Sequence, residues 1–183
     1  MEGRFERDRD LCISWYNKAS DLLGAAGAVW LAQDEEYSRT AVARLGLVSN
    51  YSMKAAVGPV YRMLCGMALE LLYKAIVVAK GGVVETSHDL AALAANAGVE
   101  VSENERGLLS ILSESVIWAG RYPVPKDPKY MDKFIDLSSK YLFDTTPVGK
   151  SNFRGTNHAL AWEHFKALWD KGDSVYWKYH SDY

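Results

Sequence analysis

The sequence predicts an all-α protein, an antiparallel helical bundle of about six or seven helices, and three observations carry that prediction. Apolar residues recur at three- and four-residue steps over several long stretches. Capping patterns and glycine or proline breaks punctuate those stretches. No run with period-two alternation is long enough for a strand, Val83-Val84 being too short. With 183 residues, 49% hydrophobic and 24% charged, the chain fits one domain over residues 1–183 and is large enough to bury a core.

Leu11, Trp15, Ala19, Leu22, Ala26 and Val29 place a first amphipathic helix over residues 8–33. The patch Gly24-Ala25-Ala26-Gly27 inside it costs helix propensity, roughly 1 kcal/mol per glycine, and so predicts a closely crossing partner helix. A shorter helix is expected over 37–48, with Ala41, Leu45 and Val48 inward. Pro59 suits the first turn of the next helix, whose stripe is Val60, Leu64, Met67, Leu71, Ala75 and Val78, ended by Gly81-Gly82. Thr86 to Asp89 reads as a capping signal for a short helix, Leu90 to Ala97, stopped by Gly98. Ser102-x-x-Glu105 is a capping box for a helix with Leu108, Leu112, Val116 and Ala119 inward, which Gly120, Pro123, Pro125 and Pro128 break. Residues 129–142 form a further short helix, 144–157 a loop, and a last helix begins near Thr156 with Ala161, Phe165, Leu168 and Tyr176 on one face.

Composition bounds the function. A net charge of -2 and a pI near 6.1 remove the argument for a broadly basic, nucleic-acid-coating surface, while a local basic groove remains open. Cys12 and Cys65 are too few and too far apart for a disulfide framework or a zinc site, which fits reduced thiols in a cytoplasmic protein. The charged start lacks the apolar core of a signal peptide, and Glu70 and Lys74 interrupt the longest apolar stretch, so no membrane association is expected. Neither a P-loop nor Gly-x-Gly-x-x-Gly nor Gly-x-Ser-x-Gly occurs. Four histidines include no His-x-x-x-His pair, so no metal and no cofactor are expected.

Three segments together carry a resemblance. They are Tyr61 to Ala75, containing Glu70-Leu71-Leu72-Tyr73-Lys74-Ala75 and followed by Gly81; Ser87-His88-Asp89-Leu90; and Trp118-Ala119-Gly120-Arg121-Tyr122-Pro123. In this order and spacing, over residues 58–125, they resemble prokaryotic HEPN-domain proteins. The resemblance implies a helical bundle, often a homodimer, with a polar groove near its axis, in toxin–antitoxin, phage-defence or stress settings. Several such families are metal-independent ribonucleases whose motif is an Arg followed after four to six residues by His, usually with a polar residue after the Arg. Others lack the motif and bind RNA, nucleotides or partner proteins. Arg154-Gly155-Thr156-Asn157-His158 has three intervening residues and Gly after the Arg, so the motif is off by one.

Arg154 and His158 are nonetheless the candidate catalytic pair, since a base for the 2′-hydroxyl and a cation for the phosphorane suffice for metal-free RNA cleavage. On a helix their spacing puts both on one face; otherwise Arg154 sits in a loop and His158 faces solvent. The groove candidates are Arg62, Glu70, Lys74, His88 and Arg121. Glu70 and Lys74 have the spacing of a helical ion pair, worth ~0.2–0.5 kcal/mol where exposed; alternatively they border a groove in which Glu70 orients Lys74 or Arg121. His88 and Asp89 cap and dock the short helix, or His88 lines the same cleft as Arg121, which otherwise bonds the last carbonyls of its helix. The aromatic tail Tyr176 to His180 is hard to bury within one chain and points to a dimer or partner surface. The expectation is a HEPN-like module that binds RNA, a nucleotide or a protein partner without an intact ribonuclease motif, the alternative being an active endoribonuclease using Arg154 and His158.

Overall fold

The computed structural model describes residues 11–48, 50–148 and 151–180. Over these residues the chain is a helical bundle with one small hairpin. The helices are α1 (Cys12–Leu31), α2 (Glu35–Arg44), α3 (Met53–Ala79), α4 (Leu90–Ala97), α5 (Glu103–Glu114), α6 (Pro128–Tyr141) and α7 (Trp162–His180). A π-helical turn, Ser115–Ala119, extends α5, and β1 (Phe143–Val148) pairs antiparallel with β2 (Ser151–Thr156).

Helix α3 is the centre, packed by α1, α4, α5, the π turn and α7. Its burial is not the stripe the periodicity indicates. Of the predicted residues Ala75 is buried, Leu64 and Leu71 pack half-buried against the core and Val60 is exposed. Tyr61, Cys65, Ala68, Leu69, Leu72 and Ile76 are also buried, because elements pack on more than one side of the helix's second half. This helix packs closely against the Leu108 to Ala119 segment: a Cβ added at Gly66 would lie 2.6 Å from Val116 Cγ2 and 2.9 Å from the Leu112 carbonyl oxygen. Only glycine admits that approach.

Side chains set most boundaries. Asp34 accepts from the Glu36 and Tyr37 amides, which starts α2 two residues earlier than predicted. Ser52 accepts from the Ala55 amide and starts α3 well before Pro59, so this proline lies inside the helix and not in its first turn. Pro59 therefore offers no N–H to the Ala55 carbonyl. The cap of α4 is Asp89, bonded to the Ala91 and Ala92 amides, and not Thr86. Gly98 ends α4 at φ +72°, and the Ser102–Glu105 capping box is fully formed. In the glycine patch, Gly27 faces the Trp162 ring, 3.0 Å from an added Cβ, but Gly24 has open space around it.

Two expectations fail together. Residues 143–148 and 151–156 form a hairpin where a loop was expected, with Thr145 opposite Arg154. The ribbon is mostly exposed, so it lacks the apolar-polar alternation by which strands are read, although Phe143, Thr145, Thr146 and Phe153 suit a pleated surface. The last helix begins at Trp162 and not near Thr156, because His158 has φ +55° and a helix does not propagate through a left-handed residue.

The aromatic tail is absorbed within the chain to a greater extent than its composition implies. Tyr176 is fully buried and stacks on Tyr16 at 4.3 Å and on His180 at 5.2 Å. His180 Nδ1 lies 3.6 Å from the Cys12 sulfur, joining α7 to the first turn of α1. Trp177 remains 42% exposed. No helix among the described residues is long and apolar enough to cross a membrane.

Candidate functional site

The predicted catalytic pair diverges. Arg154 is exposed on β2, where it donates to the Ser139 carbonyl at 3.0 Å and lies over the Phe143 ring at 4.6 Å from its centroid. His158 sits in the corner between β2 and α7. Asn157 builds that corner: its side-chain amide donates to the Tyr141 carbonyl at 3.1 Å, and its side-chain oxygen accepts from the Ala159 amide at 3.0 Å. The carbonyl of His158 in turn accepts from the Ala161 amide at 2.7 Å and pairs with His164 Nδ1 at 3.0 Å. The two side chains do not share a helix face, because residues 154–158 are not helical.

The groove candidates separate into three places. Glu70 and Lys74 form an ion pair at 2.6 Å that is buried, not exposed, and His88 Nδ1 meets the other Glu70 oxygen at 2.9 Å. This ties the segment before α4 to α3, and the Ser113 hydroxyl, accepting from the Leu90 amide, ties the start of α4 to α5. Arg121 bonds the Ile117 carbonyl at 2.6 Å, so it closes the π turn and does not meet Glu70. Arg62 lines a cleft, and His158 lines the same one.

That cleft has a volume of about 530 Å³, within the usual range for small-molecule sites. Trp30 and Gln33 reach it from the end of α1, and Lys54, Gly58 and Arg62 line it at four-residue steps along the first half of α3. Phe134 and Ser138, one turn apart on α6, form another wall. Phe143, Asn157 and His158 close it from the hairpin side. Gly58 keeps it open, since the nearest atom to an added Cβ is the Arg62 guanidinium at 3.9 Å.

Its chemistry is one-sided. Lys54 and Arg62 line it, and among the described residues no carboxylate does. Among the described residues Arg62 forms no ion pair, and burial pushes its guanidinium below the ordinary value. Burial also pushes the Tyr61 phenol and the Cys65 thiol upward. Cys65 is near enough to add to the Tyr61 shift, yet the Tyr61 hydroxyl completes no hydrogen bond. Five buried side-chain polar atoms among the described residues lack a partner, and four belong to residues of this cleft: Gln33 Nε2, the Tyr61 hydroxyl, Arg62 Nε and the Ser138 hydroxyl. Buried polar groups are nearly always paired, and an unpaired one costs about 1–3 kcal/mol.

Sequence reasoning found Arg62 and His158 but missed Gln33, Tyr61 and Ser138, which have no motif and meet only through tertiary packing. Among the described residues no group of three or more His, Cys, Asp or Glu side chains is placed to hold a metal ion. No protein-family model, no curated protein and no solved structure matches this chain.

Proposed function

We propose that this chain is a HEPN-like helical module that acts by binding, with the cleft between α1, α3, α6 and the hairpin as its site. The observation that supports the reading is a cavity of about 530 Å³ that Lys54 and Arg62 line and that no carboxylate lines among the described residues. The Arg that the ribonuclease motif needs is committed to the Ser139 carbonyl and the Phe143 ring.

A ribonuclease reading keeps one observation in its favour, the presence of His158 and Arg62 in the lining of one cleft. Incubation of RNA with the protein in chelator, compared with the His158→Ala variant, decides between the two. The binding reading expects no cleavage by either protein. Cleavage by the wild type that disappears in the variant would overturn it. The homodimer and the RNA or protein partners of related modules belong to the same proposal, and sedimentation of the protein alone tests the first of them.

A further inference from the structure

We infer that Cys12 is a nucleophilic thiol, with His180 as its base, that exchanges with low-molecular-weight disulfides. Neither residue lines the cleft, so the inference stands apart from the binding reading. Both cysteines of the chain are free, yet their surroundings differ. Cys65 is 1% exposed within α3, and burial pushes its thiol upward, which keeps the proton on the sulfur. Cys12 is half-buried and opens α1, with the last residue of α7, His180, against it.

A stack of three rings brings the base to the sulfur. Tyr16 of α1, anchored by its hydroxyl donating to Asp173 at 2.7 Å, stacks on Tyr176, and Tyr176 stacks on His180 with the planes 14° apart. Trp177 meets the imidazole edge-on at 5.3 Å. The ring so fixed places Nδ1 3.6 Å from the Cys12 sulfur. With its own proton on Nε2, that nitrogen accepts, and the thiol donates to it. The Tyr176 hydroxyl donates to the same sulfur at 3.8 Å, a contact that strengthens as negative charge develops there. The positive end of the α1 dipole acts on the same atom. A thiol in contact with an oriented base is what a sulfur nucleophile needs. In the step, Nδ1 takes the thiol proton and the sulfur bonds to one sulfur of the small disulfide. That S–S bond breaks, and the released thiolate recovers the proton from the imidazolium. Cys12 is oxidised and the released half is reduced. Cys65 lies in the core and does not resolve the product, which is therefore a mixed disulfide on Cys12.

Reaction of the full chain near neutral pH with an aromatic disulfide whose released thiolate is coloured tests this. One equivalent is expected from the native protein, faster than from free cysteine at the same pH, and a second only on unfolding in urea. Cys12→Ser is expected to remove the native release. His180→Phe keeps a ring on Tyr176 but carries no nitrogen, and it is expected to slow the native release by about tenfold, since an unassisted thiol is only a few per cent thiolate near neutral pH. Oxidised glutathione is expected to leave one glutathionyl group, located on Cys12 by mass spectrometry of the digested protein. Native release that survives Cys12→Ser, or that waits for unfolding, overturns the site. Slowing by less than about threefold in a His180→Phe protein that melts near the wild-type midpoint overturns the role of His180. If that variant melts early, the wild-type rate decides, and release slower than from free cysteine overturns the activation. Absence of the glutathionyl group overturns exchange with small disulfides.

Discussion

Two glycines in helices give a test of the packing in which the same substitution has opposite signs. Gly24 in α1 has no atom within 4 Å of an added Cβ, so Gly24→Ala changes backbone entropy alone and stabilises by about 1 kcal/mol. Gly66 in α3 gains the same term, but its Cβ would stand 2.6 Å from Val116 Cγ2 and 2.9 Å from the Leu112 carbonyl oxygen. The valine methyl has room to rotate; a helix carbonyl has none. Overpacking of this kind costs ~1–3 kcal/mol and more where backbone must shift, so the net loss in Gly66→Ala is about 1–2 kcal/mol. The two variants therefore differ by ~2–3 kcal/mol, or ~4–12 °C in midpoint for a chain of this size. Urea unfolding followed by circular dichroism, with thermal melts beside it, reads both. A Gly66→Ala protein stabilised as much as Gly24→Ala would refute the contact between α3 and the π turn, and the placement of the cleft with it.

Lys74→Met is expected to cost about 3 kcal/mol in urea unfolding, the low end for breaking a buried pair because His88 still holds one Glu70 oxygen; adding Glu70→Gln should recover more than half, and strictly additive losses would show the two do not act as a unit. Burial alone raises the Glu105 carboxyl, but the bonds from Lys171 and Ser102 outweigh it and hold it below its ordinary value. The unfolded state thus binds more protons, so this contribution is whole above the ordinary glutamate value and is lost as pH falls through the folded one; a Glu105→Gln stability profile that falls as steeply in acid as the wild type's contradicts it. At alkaline pH the sign reverses: burial raises Tyr73 and Cys65, the unfolded state releases their protons first, and stability should fall by roughly 1.4 kcal/mol per pH unit for each group as pH climbs past its ordinary value. A flat urea midpoint up to pH 11 would contradict the burial of both.

The sequence made the helices legible wherever local chemistry decided them. The bounds of Leu90 to Ala97 and the Ser102–Glu105 box are read to the residue, because a left-handed glycine and a capping box are local devices, although the cap of the first helix is Asp89 and not Thr86. What failed was tertiary. The stripe on α3 is misplaced because a helix packed on several sides carries no single apolar face, and the exposed hairpin has no buried face to write an alternation. The site divides in the same way. Arg62 and His158 stood out as charged or titratable residues in notable places, whereas Gln33, Tyr61 and Ser138 become site residues only when α1, α3 and α6 converge. Glu70 and Lys74 kept their four-residue partnership, but their burial depends on what covers them, and spacing is blind to that.

The Arg154–His158 spacing shows why a motif's distance has meaning only within a given secondary structure. Four residues bring two side chains together on a helix, where the rise is 1.5 Å per residue, but not along a strand that rises ~3.3 Å per residue and then turns through a left-handed corner. The hairpin assigns Arg154 to the end of α6, and the Asn157–His158 corner assigns His158 to a cleft whose arginine comes from α3. The consequence is a separable pair of phenotypes. Arg154→Ala removes an exposed hydrogen bond and a cation–π contact, which lowers stability by about 1–2 kcal/mol and leaves cleft binding within about twofold. Arg62→Gln does the reverse, since Arg62 lines the cleft and forms no ion pair among the described residues, so its loss falls on the ligand. If titrations instead show Arg154→Ala abolishing binding while Arg62→Gln retains it, the functional arginine is the one on the hairpin, and the assignment of the cleft is wrong.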